Sequence, residues 1–289
     1  MIERAVFSYF NPEQSYLNRC GYSRFSDFLY ATGLAVSLAS KHFKEVVMVG
    51  TTWGNKMFRD IGLPVTRYSE RIDEARKVSK WFWAYGKLLA YIDQDKPFVH
   101  IDNDVFLWDP LPPRILKAEL CFQSHEPMNL VGYKYYNMLK PCFRDCPVKP
   151  IQIVENEVTD FAYNCGICGG HRLEFFKEWI ECSKKYISDP RNQNMFFVKY
   201  RDVLIHQNLF HEQYFAASLI KMHGLRNKVV VIHPDAMAIP QVLRYTHLWG
   251  TAKKTGKMRM VIIHLQRVNK PLFLRIRDYC KSNRTDVNI

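Results

Sequence analysis

The chain has 289 residues, 47% of them hydrophobic, and its 41 basic residues against 28 acidic ones give a net charge of +13. This length suits one large α/β domain, and the composition excludes the disordered and fibrous classes. The positive charge attracts anions such as a diphosphate or an anionic membrane. Because no nucleic-acid-binding motif accompanies that charge, we expect no nucleic-acid partner.

No apolar run approaches the ~20 residues needed to cross a bilayer, and residues 1–7 lead into a strand-like segment without a signal peptide. The sequence contains eight cysteines, at positions 20, 121, 142, 146, 165, 168, 182 and 280. With no export signal, they are expected to be buried thiols in a reducing compartment rather than a disulfide framework. These features predict a cytoplasmic protein.

Short apolar runs alternate with helical apolar spacing along the first hundred residues. The predicted elements are a strand at 5–10, a helix at 25–42, strands at 45–50 and 63–68, a helix at 78–92 and a strand at 97–101. This alternation predicts an α/β fold with a mainly parallel twisted sheet flanked by helices.

The second half of the chain is less regular. Helices are predicted at 173–186 and 212–222, flanking a polar stretch at 188–194, and residues 133–150 form a possible insertion. No linker-like stretch separates the two halves. We therefore expect a single domain of two lobes.

The motif Asp102-Asn103-Asp104 follows the apolar run that ends at Ile101 and precedes another apolar segment. Ligands of open α/β sheets bind beyond the carboxyl ends of the strands, where these carboxylates would lie. An isolated pair of this kind usually caps a turn, but charges held beside apolar core require compensation. A bound hard cation is the simplest compensation.

A second motif lies in residues 245–253. His247 offers a nitrogen ligand, Gly250 allows the backbone to approach a phosphate, and Lys253 supplies a positive charge. A lone histidine in an apolar segment is more often structural. Together with the aspartates, however, these residues indicate a metal–diphosphate site.

Four motifs occur in the order Asp-x-Asp, Asn164-x-Gly, Glu212-Gln213 and His-x-x-Gly-x-x-Lys. This order resembles the retaining glycosyltransferases of family 8 and their GT-A relatives, over about residues 80–255. The resemblance implies a GT-A, Rossmann-like fold and a nucleotide-sugar donor, with a UDP-sugar expected. It also implies a glycan or lipid-linked acceptor and makes the protein a hexosyltransferase-like enzyme.

The resemblance also implies roles for individual residues. Asp102, Asp104 and His247 would bind Mn²⁺ or Mg²⁺, while Lys253 and the Gly250 backbone would hold the diphosphate. The sequence departs from family 8 where Asp-Gln is replaced by Glu-Gln and where no proline follows the lysine.

Further implied residues line the sugar and the base. The resemblance assigns Asn164, Glu212 and Gln213 to the donor sugar, as catalytic candidates, and Lys87 to the donor. It also assigns Asn103, the middle residue of the Asp-x-Asp motif, to donor binding. The first strand, with Ser8 and Tyr9, would form the base pocket. Whether the reaction retains or inverts the anomeric centre stays open.

The resemblance divides the chain into a glycosyltransferase domain and a tail. Residues 1–110 would bind the nucleotide sugar, residues 111–260 would bind the acceptor, and residues 261–289 would form a basic C-terminal tail. The tail pattern permits either peripheral contact with the inner membrane face or packing on the protein's own domain.

Three alternatives remain. A nucleotidyltransferase acting on sugar phosphates also combines an α/β sheet, carboxylates and a metal. A basic binding module without catalysis would explain the charge. Finally, Cys142, Cys146, Cys165 and Cys168 have a spacing that could hold zinc, although buried free thiols are the preferred interpretation.

Overall fold

The computed structural model describes residues 1–127, 139, 141, 142, 144–148, 161–234, 242 and 244–286. The predicted insertion at 133–150 therefore falls largely outside the described residues. Nine strands are described: β1 Arg4–Tyr9, β2 Glu45–Gly50, β3 Arg67–Ser69, β4 Phe98–Ile101, β5 Val105–Leu107, β6 Leu120–Pro127, β7 Phe161–Gly170, β8 Val229–Val231 and β9 Tyr245–His247.

In the same described ranges, nine α-helices accompany the strands: α1 Phe25–Ala39, α2 Thr52–Asp60, α3 Ala84–Ile92, α4 Pro113–Leu116, α5 Leu173–Ser188, α6 Pro190–Val198, α7 Phe215–Met222, α8 Lys257–Val268 and α9 Lys270–Asn283. A π-helical turn, Phe210–Tyr214, directly precedes α7. Among the described residues, no helix combines the length and apolar character that a membrane span requires.

The main sheet has the strand order β3-β2-β1-β4-β7-β6-β8. Strands β1 to β4 run parallel, β7 runs antiparallel to both β4 and β6, and β6 pairs in parallel with β8. Strands β5 and β9 form a separate antiparallel pair. The predicted α/β class with a mainly parallel sheet flanked by helices is confirmed.

Each face of the sheet is covered by helices. One apolar cluster joins α3, α5 and α7 to the sheet, and the other joins α1, α2, α8 and α9 to its opposite face. Helix α1 lies between the sheet and the two C-terminal helices, so all its residues are buried. A Cβ atom at Gly33 would lie 2.9 Å from the Ile276 side chain, so glycine allows this close packing.

The predicted C-terminal helix forms as α9 and packs on α1. Its residues Leu272, Ile276 and Cys280 are buried. The Arg275 guanidinium donates to the carbonyl oxygens of Ile61 and Gly62 at 2.7 and 3.0 Å. The apolar face on which the membrane prediction relied is therefore packed against the protein itself.

Two helical regions differ from the sequence predictions. The polar stretch at 188–194 contains the start of α6, because Asp189 accepts a hydrogen bond from the Arg191 N–H and Pro190 occupies the first turn. The helix predicted at 78–92 begins instead at Ala84, whose N–H donates to the Asn208 side chain at 3.0 Å.

Candidate metal and donor site

The Asp-x-Asp motif forms the turn between β4 and β5, beyond the carboxyl end of β4. The Asp102 N–H donates to the Gly166 carbonyl at 2.9 Å, and the Asn103 side chain donates to the Ser8 carbonyl at 2.7 Å. These bonds tie the turn to the middle of β7 and to the end of β1. The carboxylates of Asp102 and Asp104 are thereby held at the predicted edge of the sheet.

Strand β9 brings His247 to this turn. Because β9 pairs with β5, His247 lies opposite Val105, and the Leu248 N–H donates to the Asp104 carbonyl at 2.9 Å. The His247 Nε2 atom lies 3.4 Å from Asp104 Oδ1. One ligand atom from each of Asp102, Asp104 and His247 lies within 4.8 Å of the other two.

This donor set fits a divalent cation. Two carboxylate oxygens and one imidazole nitrogen suit ions such as Mg²⁺ and Mn²⁺, with further positions left for a ligand's phosphate oxygens. In the part of the chain that the structure describes, it is the one group of three or more such side chains with ligand spacing.

The four cysteines of the zinc alternative are buried thiols. Cys165 and Cys168 are buried in β7. The Cys146 thiol donates to the Asn192 side chain at 3.1 Å, and the Cys165 thiol to the Tyr163 carbonyl at 3.4 Å. These side chains do not form a metal cluster within the described residues.

Lys253 pairs with the second aspartate of the motif, its Nζ lying 2.6 Å from Asp104 Oδ2. It belongs to a 3₁₀ turn, Gly250–Lys254, in which Gly250 has the left-handed φ of +56° that favours glycine. Burial raises the pKa of Asp104, but Lys253 and His247 lower it by more, so the carboxyl is held well below its usual range.

Lys87 of α3 forms the buried end of the site. Its ammonium lies 2.9 Å from Asp102 Oδ1, donates to the Cys165 carbonyl at 3.1 Å and pairs with Glu212 of the π-helical turn. Burial lowers the pKa of Lys87, but the charges of Asp102 and Glu212 raise it by more. Burial raises the pKa of Asp102 and of Glu212.

Glu126 of β6 is a buried carboxylate that the sequence analysis missed. It accepts a 2.5 Å hydrogen bond from the Asn164 side chain, whose oxygen in turn accepts from the Gly166 N–H at 2.9 Å. The sequence does contain a signal for this carboxylate, because residues 123–126 form an unbroken polar run within a buried strand. Gln123, in the same run, was also missed and bonds His247 at 3.0 Å.

The remaining predicted residues lie around this centre. The Ser8 hydroxyl shares a 2.9 Å hydrogen bond with His100, and Gln213 is buried in the π-helical turn next to Glu212. The Tyr9 ring lies in the core, stacked on Phe28 at 4.9 Å between centroids. Its side chain is therefore enclosed in the core.

Charge is unevenly balanced in this cluster. Four buried or half-buried carboxylates lie close together, and within the described part of the chain two lysines pair with them: Asp102, Asp104, Glu126 and Glu212 against Lys87 and Lys253. Asp102 and Glu212 share the ammonium of Lys87, so full ionisation leaves these three groups with one negative charge in excess. A divalent ion would supply the missing charge.

The family of the chain follows from a match over almost its whole length. Residues 4–278 match the model of a family of unknown function, DUF6734. The chain belongs to this family. The assignment to glycosyltransferase family 8 is not supported by the match, and no curated protein matches the sequence.

Several solved structures are similar to the DUF6734 chain. The glycosyltransferase GlyE of Streptococcus pneumoniae TIGR4 aligns at 10% identity and a TM-score of 0.42, covering 100% of this chain and 65% of GlyE. The galactosyltransferase LgtC, solved with donor and acceptor sugar analogues, aligns at 12% identity and 0.44, covering 92% and 96% of the two chains.

A solved structure with a different activity aligns at a similar identity and TM-score. The inositol-1-phosphate CTP transferase of T. maritima aligns at 12% identity and a TM-score of 0.40, covering 92% of this chain and 96% of that one. Similarities this distant do not identify an activity.

Proposed function

We propose that this protein is a metal-dependent glycosyltransferase that transfers a sugar from a nucleotide-sugar donor, a UDP-sugar, to a glycan or lipid-linked acceptor. The observation that carries the proposal is the convergence of Asp102, Asp104 and His247 beyond β4, with Lys253 beside them. Mn²⁺ or Mg²⁺ would be held by these three side chains. When bound, the cation neutralises charge on the departing diphosphate.

One side of the site suits the diphosphate. The Lys253 ammonium lies on an open turn, and Gly250 has open space where a Cβ would be. Backbone of this kind can approach a phosphate closely, while the lysine offsets its charge. Positive charge placed where negative charge develops on the leaving group lowers the barrier to transfer.

The other side suits the hydroxyl groups of a sugar. Asn164, Glu126 and Glu212 are buried polar side chains that face Lys87 or one another beside Asp102. Buried polar groups of this density give orientation-specific hydrogen bonds to a ligand. A molecule with a diphosphate at one end and a sugar at the other matches both sides.

An exposed aromatic ring beside His247 supports a binding site for the acceptor. Trp249 is 40% exposed, and its ring centroid lies 6.2 Å from that of His247. Ligand sites combine such apolar surfaces with a few polar groups. A sugar ring of the acceptor would lie against this indole, next to the reacting centre.

Binding and turnover measurements test the proposal. The chain should bind UDP in the presence of Mn²⁺ and lose that binding in EDTA, as measured by calorimetry. A panel of sugar nucleotides should then include a donor that stabilises the protein by about 2.7 kcal/mol at 100-fold excess over its dissociation constant. With an acceptor extract, that donor should release UDP.

The products separate this proposal from its alternatives. A nucleotidyltransferase would release pyrophosphate from a nucleoside triphosphate and a sugar phosphate, without UDP release from a sugar nucleotide. A binding module would show neither reaction. If no nucleotide binds in a metal-dependent way, the proposed function is wrong.

A further inference from the structure

Gln123 lies where two strands lose their regular pairing. The register between β6 and β7 shifts between Phe122 and Ser124, so that three residues of β7, 165–167, lie opposite Gln123 alone. Such bulges bend a strand and redirect its side chains, and they are frequent beside active sites. This irregularity therefore determines where the Gln123 side chain points.

The bulge is held by residues of the candidate site. The Gly166 N–H donates to the Asn164 side chain, and the Gly166 carbonyl accepts from the Asp102 N–H, each at 2.9 Å. The Cys165 carbonyl accepts from Lys87 at 3.1 Å. The bulge and the Asp-x-Asp turn therefore form one connected unit.

Gly166 provides the space in which two side chains meet. A Cβ atom there would lie 2.3 Å from Gln123 Oε1 and 2.5 Å from Cε1 of His247. Real Cβ atoms do not approach other atoms this closely, so any larger residue would push the two side chains apart. Gln123 Oε1 lies 3.0 Å from His247 Nδ1 across this glycine.

This contact determines which imidazole nitrogen faces the acidic cluster. An amide oxygen only accepts hydrogen bonds, so Nδ1 of a neutral His247 must carry the proton that it donates to Gln123. Nε2 then presents its lone pair on the side of Asp104, 3.4 Å away. Metal-binding histidines usually have their other nitrogen fixed by such a partner.

We propose that Gln123 is a positioning residue that fixes His247 in the Nδ1–H tautomer, with Gly166 providing the necessary space, so that Nε2 is available to a divalent cation. The inference rests on the proposed cation site. It assigns to Gln123 no contact with substrate.

Mn²⁺ affinity of the full chain gives the first test, measured by electron paramagnetic resonance of free Mn²⁺. Gln123→Met keeps the side-chain length but removes the acceptor, and it should weaken Mn²⁺ binding by about 10–100-fold. Gln123→Glu keeps an acceptor and should bind Mn²⁺ at least as tightly as wild type. Gln266→Met, at an exposed position of α8, is the control and should change nothing.

The tautomer gives a second test that needs no metal. In ¹⁵N-histidine-labelled protein without Mn²⁺, the His247 signals are assigned by their loss in His247→Asn. Above the pH range in which histidines titrate, the wild-type ring should carry its proton on Nδ1. In Gln123→Met the proton should move wholly or partly to Nε2.

The outcomes separate this inference from the proposed function. If wild type does not bind Mn²⁺, the cation site itself is wrong. If wild type binds Mn²⁺ and a folded Gln123→Met variant binds it equally well, Gln123 has no positioning role. An Nε2–H tautomer in the wild-type protein also overturns the inference, whatever the affinities.

Discussion

Two lysines pair with the two aspartates of one motif, yet their surroundings differ. The Lys87 side chain is 7% exposed and has three oxygen partners, on Asp102, Glu212 and Cys165. The Lys253 side chain is 20% exposed and pairs with Asp104 from an open 3₁₀ turn. One lysine is enclosed by rigid elements, whereas the other lies at the surface of the site.

Because of this difference, we expect the two neighbouring lysines to have different roles: Lys87 stabilises the fold, and Lys253 binds a ligand. Removing one member of a buried ion pair leaves an uncompensated charge, so the fold requires Lys87. Lys253 can exchange its carboxylate for a phosphate with little rearrangement, since no residue of the turn that carries it is fully buried. We therefore expect mutations at the two lysines to have different primary effects.

The largest expected effect on stability comes from removing Lys87, at the buried end of the site. Lys87→Met should lower the free energy of unfolding by about 3–5 kcal/mol, because Asp102 and Glu212 lose their shared cation. Urea denaturation measures this change. Lys80→Met removes an exposed lysine that pairs with Glu13 and should cost less than about 1 kcal/mol. Equal losses in the two variants would contradict the structural role of Lys87.

On the Lys253 side of the site, Asp104→Asn should abolish cation binding while the protein remains folded. The variant loses a charged ligand atom, so Mn²⁺ affinity should fall on the order of 100-fold or more. Calorimetry with Mn²⁺ checks this, and a melting curve shows that the protein remains folded. Asp109→Asn, which affects the exposed pair with Arg244, is the matched control. Unchanged Mn²⁺ affinity in Asp104→Asn would remove this residue from the cation site.

Lys253→Ala should weaken UDP binding without weakening the binding of Mn²⁺. Without its lysine, Asp104 is free to bind a cation, so Mn²⁺ alone should bind equally or more tightly than to wild type. UDP binding in saturating Mn²⁺ should weaken by about tenfold, the effect of losing one phosphate contact of about 1.4 kcal/mol. The neighbouring exposed Lys254→Ala should alter neither value. A parallel loss of both affinities would contradict the proposed exchange of partners.

An effect of similar size concerns a buried cation far from the site. Arg4 donates to Glu45 at 2.8 and 3.1 Å, and this lowers the pKa of Glu45 to about 2. A lowered folded-state pKa gives stability that is present above the unfolded value and is lost as pH falls toward the folded one. We expect about 1–2 kcal/mol to be lost between about pH 4.5 and 2.

Denaturation at a series of pH values tests this contribution. Glu45→Gln should flatten the acid limb of the stability curve, whereas Glu3→Gln, at an exposed pair with Lys44, should change it less. If Glu45→Gln keeps the wild-type slope, the Arg4–Glu45 pair does not contribute to acid sensitivity.

The sequence by itself determined the fold class and the acidic motif. Strands β1, β2 and β4 and helix α1 were predicted to within a few residues, because their apolar periodicity is a local property of the chain. The position of Asp102 and Asp104 beyond a strand also followed from local pattern. The start of α6 was missed although Asp189 and Pro190 are a local helix-start signal, because the polar stretch was interpreted as a loop.

The sequence motifs grouped His247 and Lys253 with the aspartates, and only the tertiary structure decided how the side chains of the site meet. His247 reaches Asp104 because β9 pairs with β5, and Lys87 reaches Glu212 because α3 and the π-helical turn pack on the same side of the sheet. The register shift that aims Gln123 at His247 depends on the pairing of β6 with β7. Such contacts between distant segments leave no periodic signal in the sequence, since they depend on how complete elements pair and pack.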